Sequence, residues 1–421
     1  MRRLLAVSWE MPPMYGPRAT QVSRTLGALA TLGWRSTVVC LAPRRGGPHW
    51  RDAVEVAPPA GVDLLRVPSP EEWIVLRAAW RIAPIGRDMP DSKWVWVKRA
   101  ARAARGAAAE HEVAGLVTFA QPWSDHLVGL RVSRETSLPW VAHFSDPWVD
   151  SPYIAGPRRP QPRWRRVEED VIREANAVVF VTHETADLVM KKYPDAWRRK
   201  VSVVPHGFES SVTPVERSAR RPGPMRIVYT GRFYGGVRTP LAFLQALAAV
   251  NAREPLAGVL EVSFVGPDVE AFDRDADALG VAPLVRFRGR VPPAEAAAIA
   301  ADADVLLVID APSEGPSPFL PSKLVDYLAF GKPVLGVTPE PGAAAALLRR
   351  LGCPVAPPDD STAIRSVLAD LVRAWRGGTL GVPASFAQVA AEYEIGRTAA
   401  RLNDVLVATF SSPQRSQSQG R

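Results

Sequence analysis

Two cysteines in 421 residues are too few for a disulfide framework. Cys40 and Cys353 sit in apolar surroundings, far apart in the sequence. That also speaks against a cysteine metal site and fits a reducing, cytoplasmic compartment. No apolar run approaches the length of a membrane-crossing helix. The N-terminus MRRLLAVSWEMPP joins two arginines to a short apolar run that Glu10 interrupts. It reads as a first β-strand, not a signal peptide. Histidine is scarce: six residues, all before residue 225. The segments that read as a ligand cleft hold no Asp-x-Asp cluster, so no metal ion is called for. No internal repeat is visible beyond an alternation of short strands and helices.

What is there is that alternation. β-branched runs separated by helical patterns signal βαβ units and parallel sheets. The strand runs of the first half are RLLAVSW, STVVCLA, DLLRVP, AGLVTFA, PWVAHFS, AVVFVT and VSVVP. Those of the second are MRIVYTG, LEVSFVG, VRFRG, DVLLVID and KPVLGV. In TQVSRTLGALATLGW, Val22, Leu26 and Leu29 share a helix face, and Gly33 stops the helix. In PDSKWVWVKRAARAARGAAAEH, the face reads as Trp94, Val97, Ala101, Ala104 and Ala108. The length suits two domains. The expected division is 1–213, a polar Pro- and Arg-rich linker 214–224, and 225–384. A helix over 385–410 is expected to pack back on the first domain, and a tail 411–421 to be disordered.

Charge is uneven. Residues 1–224 carry 33 Lys and Arg against 23 Asp and Glu; residues 225–421 carry 19 against 20. The first half therefore invites an anionic partner, such as a membrane surface or a lipid phosphate. Arg158, Arg159, Arg163, Arg165 and Arg166 form its densest cluster. No nucleic-acid reading motif accompanies it.

Ligands of open α/β sheets bind beyond the carboxyl ends of strands. In the second half, DVLLVID leads through APSEGPSPFLPS into the helix KLVDYLAF. Ser322 and Lys323 begin that helix, where free N–H groups and an ammonium suit phosphate. Asp326, one turn on, suits the two hydroxyls of a ribose. In MRIVYTGRFYGGVRTP, Gly231, Arg232 and Arg238 follow a strand and suit a diphosphate. Val291 follows VRFRGR, where backbone groups can meet a base edge. In the first half, Gly16 and Arg18 of PPMYGPRA follow the first strand. His126, His143 and Asp146 follow later strands, and Trp123, Trp148 and Tyr153 flank them.

Strand–GRFYGGVR–helix, then VRFRGRVPPAEAAAIAADADVLLV, then PSKLVDYLAFGKPVLGV resembles the nucleotide-sugar domain of family 4 glycosyltransferases. The first half is similar to a subgroup with a DPW motif, through QPWSDHLVGL, LPWVAHFSDPW and VSVVPHGFE. The resemblance implies an α/β chain of the GT-B fold: two Rossmann-like domains whose parallel sheets face a central cleft, the first taking the acceptor. It implies a retaining transfer from a UDP-, GDP- or similar nucleoside-diphosphate sugar to an acceptor hydroxyl, with no further cofactor. By position, Arg232 and Arg238 take the diphosphate and Asp326 the ribose. The family's first glutamate of an E-x7-E pair falls at Pro318, and Glu314 lies nearby. His126 and Asp146 match recurring subgroup positions that orient acceptor or sugar; His143 and His206 read as structural. A glycan, polysaccharide or glycolipid product is expected, made at the inner face of the cell membrane when the acceptor is lipid-linked. A nucleotide-sugar epimerase of the same fold and a non-catalytic nucleotide-sugar-binding subunit are the rival readings.

Overall fold

Every run read as a strand forms one in the computed structural model, which describes residues 1–47, 49–50, 56–82, 90–153, 162–210, 223–233 and 236–411. The first seven are β1 (Arg2–Val7), β2 (Trp34–Leu41), β3 (Val62–Val67), β4 (Gly115–Ala120), β5 (Trp140–Phe144), β6 (Ala177–Phe180) and β7 (Val201–Val203). Between them lie α1 (Pro17–Thr31) after β1, α2 (Ile74–Ile82) and α3 (Val97–Glu110) after β3, α4 (Ser124–Thr136) after β4, α5 (Pro162–Glu174) after β5 and α6 (His183–Met190) after β6. All pairs are parallel, in the order β3-β2-β1-β4-β5-β6-β7.

The second set is β8 (Met225–Thr230), β9 (Leu260–Val265), β10 (Val285–Arg288), β11 (Val305–Ile309), β12 (Val334–Val337) and β13 (Val355–Ala356). Its helices are α7 (Leu241–Arg253), α8 (Asp273–Ala278), α9 (Pro293–Ala301), α10 (Ser322–Tyr327), α11 (Ala343–Arg350), α12 (Ser361–Arg376) and α13 (Ser385–Ala391). A last helix, α14 (Ile395–Ser411), follows. The second sheet is also parallel, in the order β10-β9-β8-β11-β12-β13. The sequence did not announce β13, which is two residues long.

Parallel sheets covered on both faces need strands apolar on both sides. β1 shows how: Leu5 and Val7 join a core with Trp96 and Trp140, while Leu4 and Ala6 join one with Leu26 and Trp34. β8 does the same, sending Ile227 and Tyr229 to one core and Val228 to another.

The chain forms two units, Met1–Gly207 with Ile395–Arg421, and Phe208–Glu394. Most of the expected linker 214–224 lies outside the described residues, as do Arg158, Arg159 and the tail beyond 411. The segment read as one helix over 385–410 is two. α13 belongs to the second unit, where Phe386 and Ala390 enter its core. α14 belongs to the first unit and packs on α1. There Trp34 Nε1 donates to Asn403 Oδ1 at 2.9 Å. The break between them is used for pairing: Phe208 N donates to Tyr393 O at 2.9 Å.

The inward face of α3 is also corrected. Ser92–Trp96 is a 3₁₀ turn before α3 begins. With three residues per turn, it rephases the pattern. Trp96, Ala100, Ala101, Ala104 and Ala107 face inward, and Trp94 lies outside, 39% exposed.

Candidate functional site

In each unit the strand order reverses once, between β1 and β4 and between β8 and β11. Beyond the carboxyl ends of those strands a crevice opens in doubly wound sheets.

In the second unit, Gly231 leaves β8 with φ +124, a region open to glycine, and donates to Val265 O at 2.7 Å. Space demands glycine as well as conformation. A Cβ there would stand 2.6 Å from Lys323 Nζ. Gly266 packs on the same turn, where its Cβ would meet Gly231 O at 2.3 Å. The end of this sheet is thus bare backbone beside one lysine.

Lys323 is the second residue of α10. Its ammonium lies 3.6 Å from the centroid of the Tyr229 ring and is buried with no hydrogen-bond acceptor. Burial drives its pKa well below the usual lysine range; Arg238 pushes the same way, and Asp310 opposes both. A buried donor without an acceptor is costly, and the cation–π contact offsets only part of that. Tyr229 is itself fixed: its hydroxyl donates to Arg232 O at 3.0 Å and its ring stacks on Phe233 at 4.5 Å. Tyr327 OH accepts from Thr230 N at 2.8 Å, so α10 is tied to the end of β8. Asp310, at the end of β11, is 2% exposed, and its Oδ1 accepts from Ala311 N at 2.9 Å.

The other residues expected at the site differ in exposure. Arg238 and Asp326 are half-buried. Arg232 is exposed, its Nε 3.3 Å from Asp268 Oδ2, an open pair of little intrinsic strength. Val291 is half-buried, three residues past β10. α10 has only six residues before a 3₁₀ turn ends at Gly331, so few peptide dipoles align at Ser322. Ser322 caps nothing: Pro321 is the N-cap, without a side-chain bond. Pro318 is buried and Glu314 exposed. Between them, Ser317 pins the loop: its N–H donates to Pro341 O at 3.1 Å, and its carbonyl accepts from Ala343 N at 2.9 Å.

In the first unit, Arg18 is the second residue of α1. Its Nη2 donates to Ser145 Oγ, while Nε and Nη1 are buried without acceptors. Burial lowers its pKa, against the pull of Asp146, Glu10 and Asp125. Ser145 Oγ donates to Ala120 O at 2.8 Å, and Gln121 Nε2 donates to Asp146 Oδ2 at 3.2 Å. So Arg18, Ser145 and Asp146 meet where β4 and β5 end. Gly16 is the N-cap of α1, at φ −178, extended backbone that any residue adopts. An added Cβ would come only to 3.4 Å from Glu10 Oε2. Neither backbone conformation nor space demands glycine at this position.

His126 departs further from expectation. It is fully buried, with Nδ1 2.7 Å from Thr118 Oγ1, which accepts from Trp140 Nε1 at 2.9 Å. The Phe144 ring is 4.3 Å away. Burial holds it neutral, well below the usual histidine range. It packs beneath the site instead of facing it. His143 and His206 are buried too; burial, then Arg18, brings His143 to about 3.

Sequence reasoning missed three anchoring groups. Asp125 is fully buried and accepts from Trp9 N at 2.9 Å; burial raises its carboxyl well above the usual range. Glu168 on α5 accepts from Val149 N and Tyr193 OH, each at 2.8 Å, and lies 2.7 Å from Lys192 Nζ. It holds the loop that carries Asp146 and Trp148. Tyr229 read as an ordinary strand residue. Among the described residues, no three His, Cys, Asp or Glu side chains gather as a metal-binding group.

Two family models match the chain: a glycosyl transferase 4-like domain over residues 18–207, and glycosyl transferases group 1 over residues 224–373. No curated protein matches it. Solved structures do. Sucrose-phosphate synthase from Thermosynechococcus elongatus is 15% identical, with a TM-score of 0.73 over 98% of this chain and 100% of that one. The lipopolysaccharide outer core galactosyltransferase WaaB is 12% identical, with a TM-score of 0.60 over 97% and 99%. A trehalose-6-phosphate protein from E. coli bound with UDP-2-fluoro glucose is 13% identical, with a TM-score of 0.62 over 96% and 99%.

Proposed function

The chain belongs to the family 4-like glycosyltransferases, with the two Rossmann-like domains of the GT-B fold, and from that premise we propose how it transfers its sugar. The donor is a nucleoside-diphosphate sugar bound by the second unit. The observation that carries this is Lys323, a buried ammonium with no hydrogen-bond acceptor, set against glycine backbone at the strand-order reversal. A diphosphate supplies the missing acceptor. Arg238 and Arg232 complete the charge, Arg232 by exchanging Asp268 for phosphate. Asp326 takes the ribose hydroxyls, and the backbone at Val291 meets the base. The neighbour bound with UDP-2-fluoro glucose has the same fold and supports this class of donor.

In the reaction the bond from the anomeric carbon to the diphosphate breaks and one from that carbon to the acceptor oxygen forms. The electron pair of the broken bond goes to the diphosphate, whose departing oxygen takes the hydroxyl proton. Lys323 and the two arginines stabilise that charge as it develops, so no metal is required. Transfer proceeds with retention. On the first unit, Asp146 orients the acceptor, with Arg18 and Ser145 holding the loop. We place the acceptor on a lipid, at an anionic membrane surface. The basic first half supports this, as does a same-fold neighbour that acts on lipopolysaccharide. Among the described residues no helix is long and apolar enough to cross a membrane.

Incubation with UDP-, GDP- and ADP-sugars, with and without a panel of sugar phosphates and lipid-linked sugars, tests the reading. Nucleotide release that rises with one acceptor, and a product keeping the donor's anomeric configuration, is expected. A changed sugar nucleotide formed without acceptor would make the chain an epimerase. Binding without turnover under every acceptor would make it a binding subunit.

A further inference from the structure

The chain has thirteen tryptophans, and among the described residues only Trp73 and Trp94 are strongly exposed, at 49% and 39%. Both lie at 3₁₀ turns, Pro70–Glu72 and Ser92–Trp96, which precede α2 and α3 and touch one another. α2, IVLRAAWRI, is apolar at most positions, yet none of its described side chains, 76–81, is fully buried. Leu76 and Trp80 are half-buried, and Ala78 and Ala79 exposed. A helix whose task was to cover the sheet would bury such residues.

Cations surround these indoles. Arg77 and Arg81 stand one turn apart on α2. The Arg99 guanidinium lies 5.0 Å from the Trp73 ring centroid, and Lys98 and Arg102 are exposed on α3. Neither 74–82 nor 97–109 contains an acid. Among the described residues, Glu71 and Glu72 before α2 are buried, and Asp91, half-buried, is bonded to Ser124. Glu71 accepts from Lys93 Nζ at 2.8 Å and Ser92 Oγ at 2.9 Å, and Glu72 accepts from Arg44 N. The surface is therefore apolar, aromatic and positive, the composition of a helix that lies in a bilayer interface.

We infer that α2, with Trp73 and Trp94, docks the first unit on an anionic bilayer. This deepens the lipid-linked acceptor reading and rests on it. The patch belongs to the same end of the sheet as Arg18 and Asp146. The 3₁₀ turn before α2 follows β3, and the one bearing Trp94 is capped by Asp91, which also bonds Ser124 N at 3.0 Å just past β4. A lipid headgroup held at the patch is thus presented to the end of the molecule where the acceptor reacts. The basic cluster flagged in the sequence lies elsewhere, its described part on α5.

Co-sedimentation of the full chain with phosphatidylcholine vesicles, with and without phosphatidylglycerol, tests this. Binding is expected only to the mixed vesicles, weakening as salt screens it. Trp73→Ser with Trp94→Ser should lower the partition coefficient at least tenfold. The surface pair Arg77→Gln with Arg81→Gln, which leaves the core untouched, should lower it roughly fivefold per charge. Arg165→Gln with Arg166→Gln on α5 should change little. Absence of binding, equal binding to both vesicle types, or loss confined to the α5 pair overturns the inference. So does equally tight binding to soluble polyphosphate that ignores the tryptophan changes. Nucleotide titration without vesicles reports on the second unit alone, so failure of the donor reading is seen separately.

Discussion

At the residue scale, Lys323 is held at a cost. Its ammonium is out of water, rests on the Tyr229 ring and has Arg238 for company. A charged hydrogen bond to phosphate is worth about 1.5–3 kcal/mol, so Lys323→Met should weaken nucleotide binding by roughly ten- to a hundredfold, read by calorimetry. Gly231→Ala should do comparable harm while the protein still folds, because its Cβ would displace the lysine. Buried histidines give the pH dependence. His126, His143 and His206 are held below the ordinary histidine value by burial. The unfolded chain takes up protons that the folded chain refuses, so stability is present above about pH 6.5 and lost as pH falls below it. Each contributes a slope of about 1.4 kcal/mol per pH unit in that window. Urea unfolding between about pH 7 and pH 5 should show the loss, and His143→Gln should reduce the slope by one proton. A flat profile would contradict the neutral burial. The place of Lys323 beside the end of β8 was legible because a strand end, prolines and a helix start mark it. Asp125 was not: its partner Trp9 is 116 residues away, and only the fold brings them together.

At the scale of elements, α5 and α14 carry consequences. Glu168 joins α5 to the loop after β5 and to the end of α6. Breaking a buried charged network of this kind costs about 3 kcal/mol or more. Glu168→Ala should show that loss in urea unfolding and reduce turnover through the Asp146 loop, with donor binding unchanged. α14 lays Phe410 against Gly115, where an added Cβ would come within 2.4 Å of the ring. Gly115→Ala should therefore destabilise by about 1–3 kcal/mol. Strands were readable from β-branched runs; the division of 385–410 into two helices was not. Its alanine-rich ends favour helix, and the break at 392–394 coincides with pairing to Phe208 across the sequence. The misread face of α3 has a similar origin, since a 3₁₀ turn shifts phase without a mark in composition.

At the scale of the molecule, the strand–helix alternation fixed two doubly wound sheets, and the order reversals then chose the site end of each. Structures only 12–15% identical share this fold over almost the whole chain. Fold thus survives where most individual side chains differ. The chemistry is concentrated in fewer groups than the fold suggests, and Lys323 is foremost among them. The decisive measurement is calorimetric titration of UDP, GDP and ADP, and their sugar conjugates, into the protein and into Lys323→Met and Asp326→Ala. The account predicts that one diphosphate binds selectively and that each variant weakens it at least tenfold. Binding by none of them, or binding indifferent to both substitutions, would contradict it.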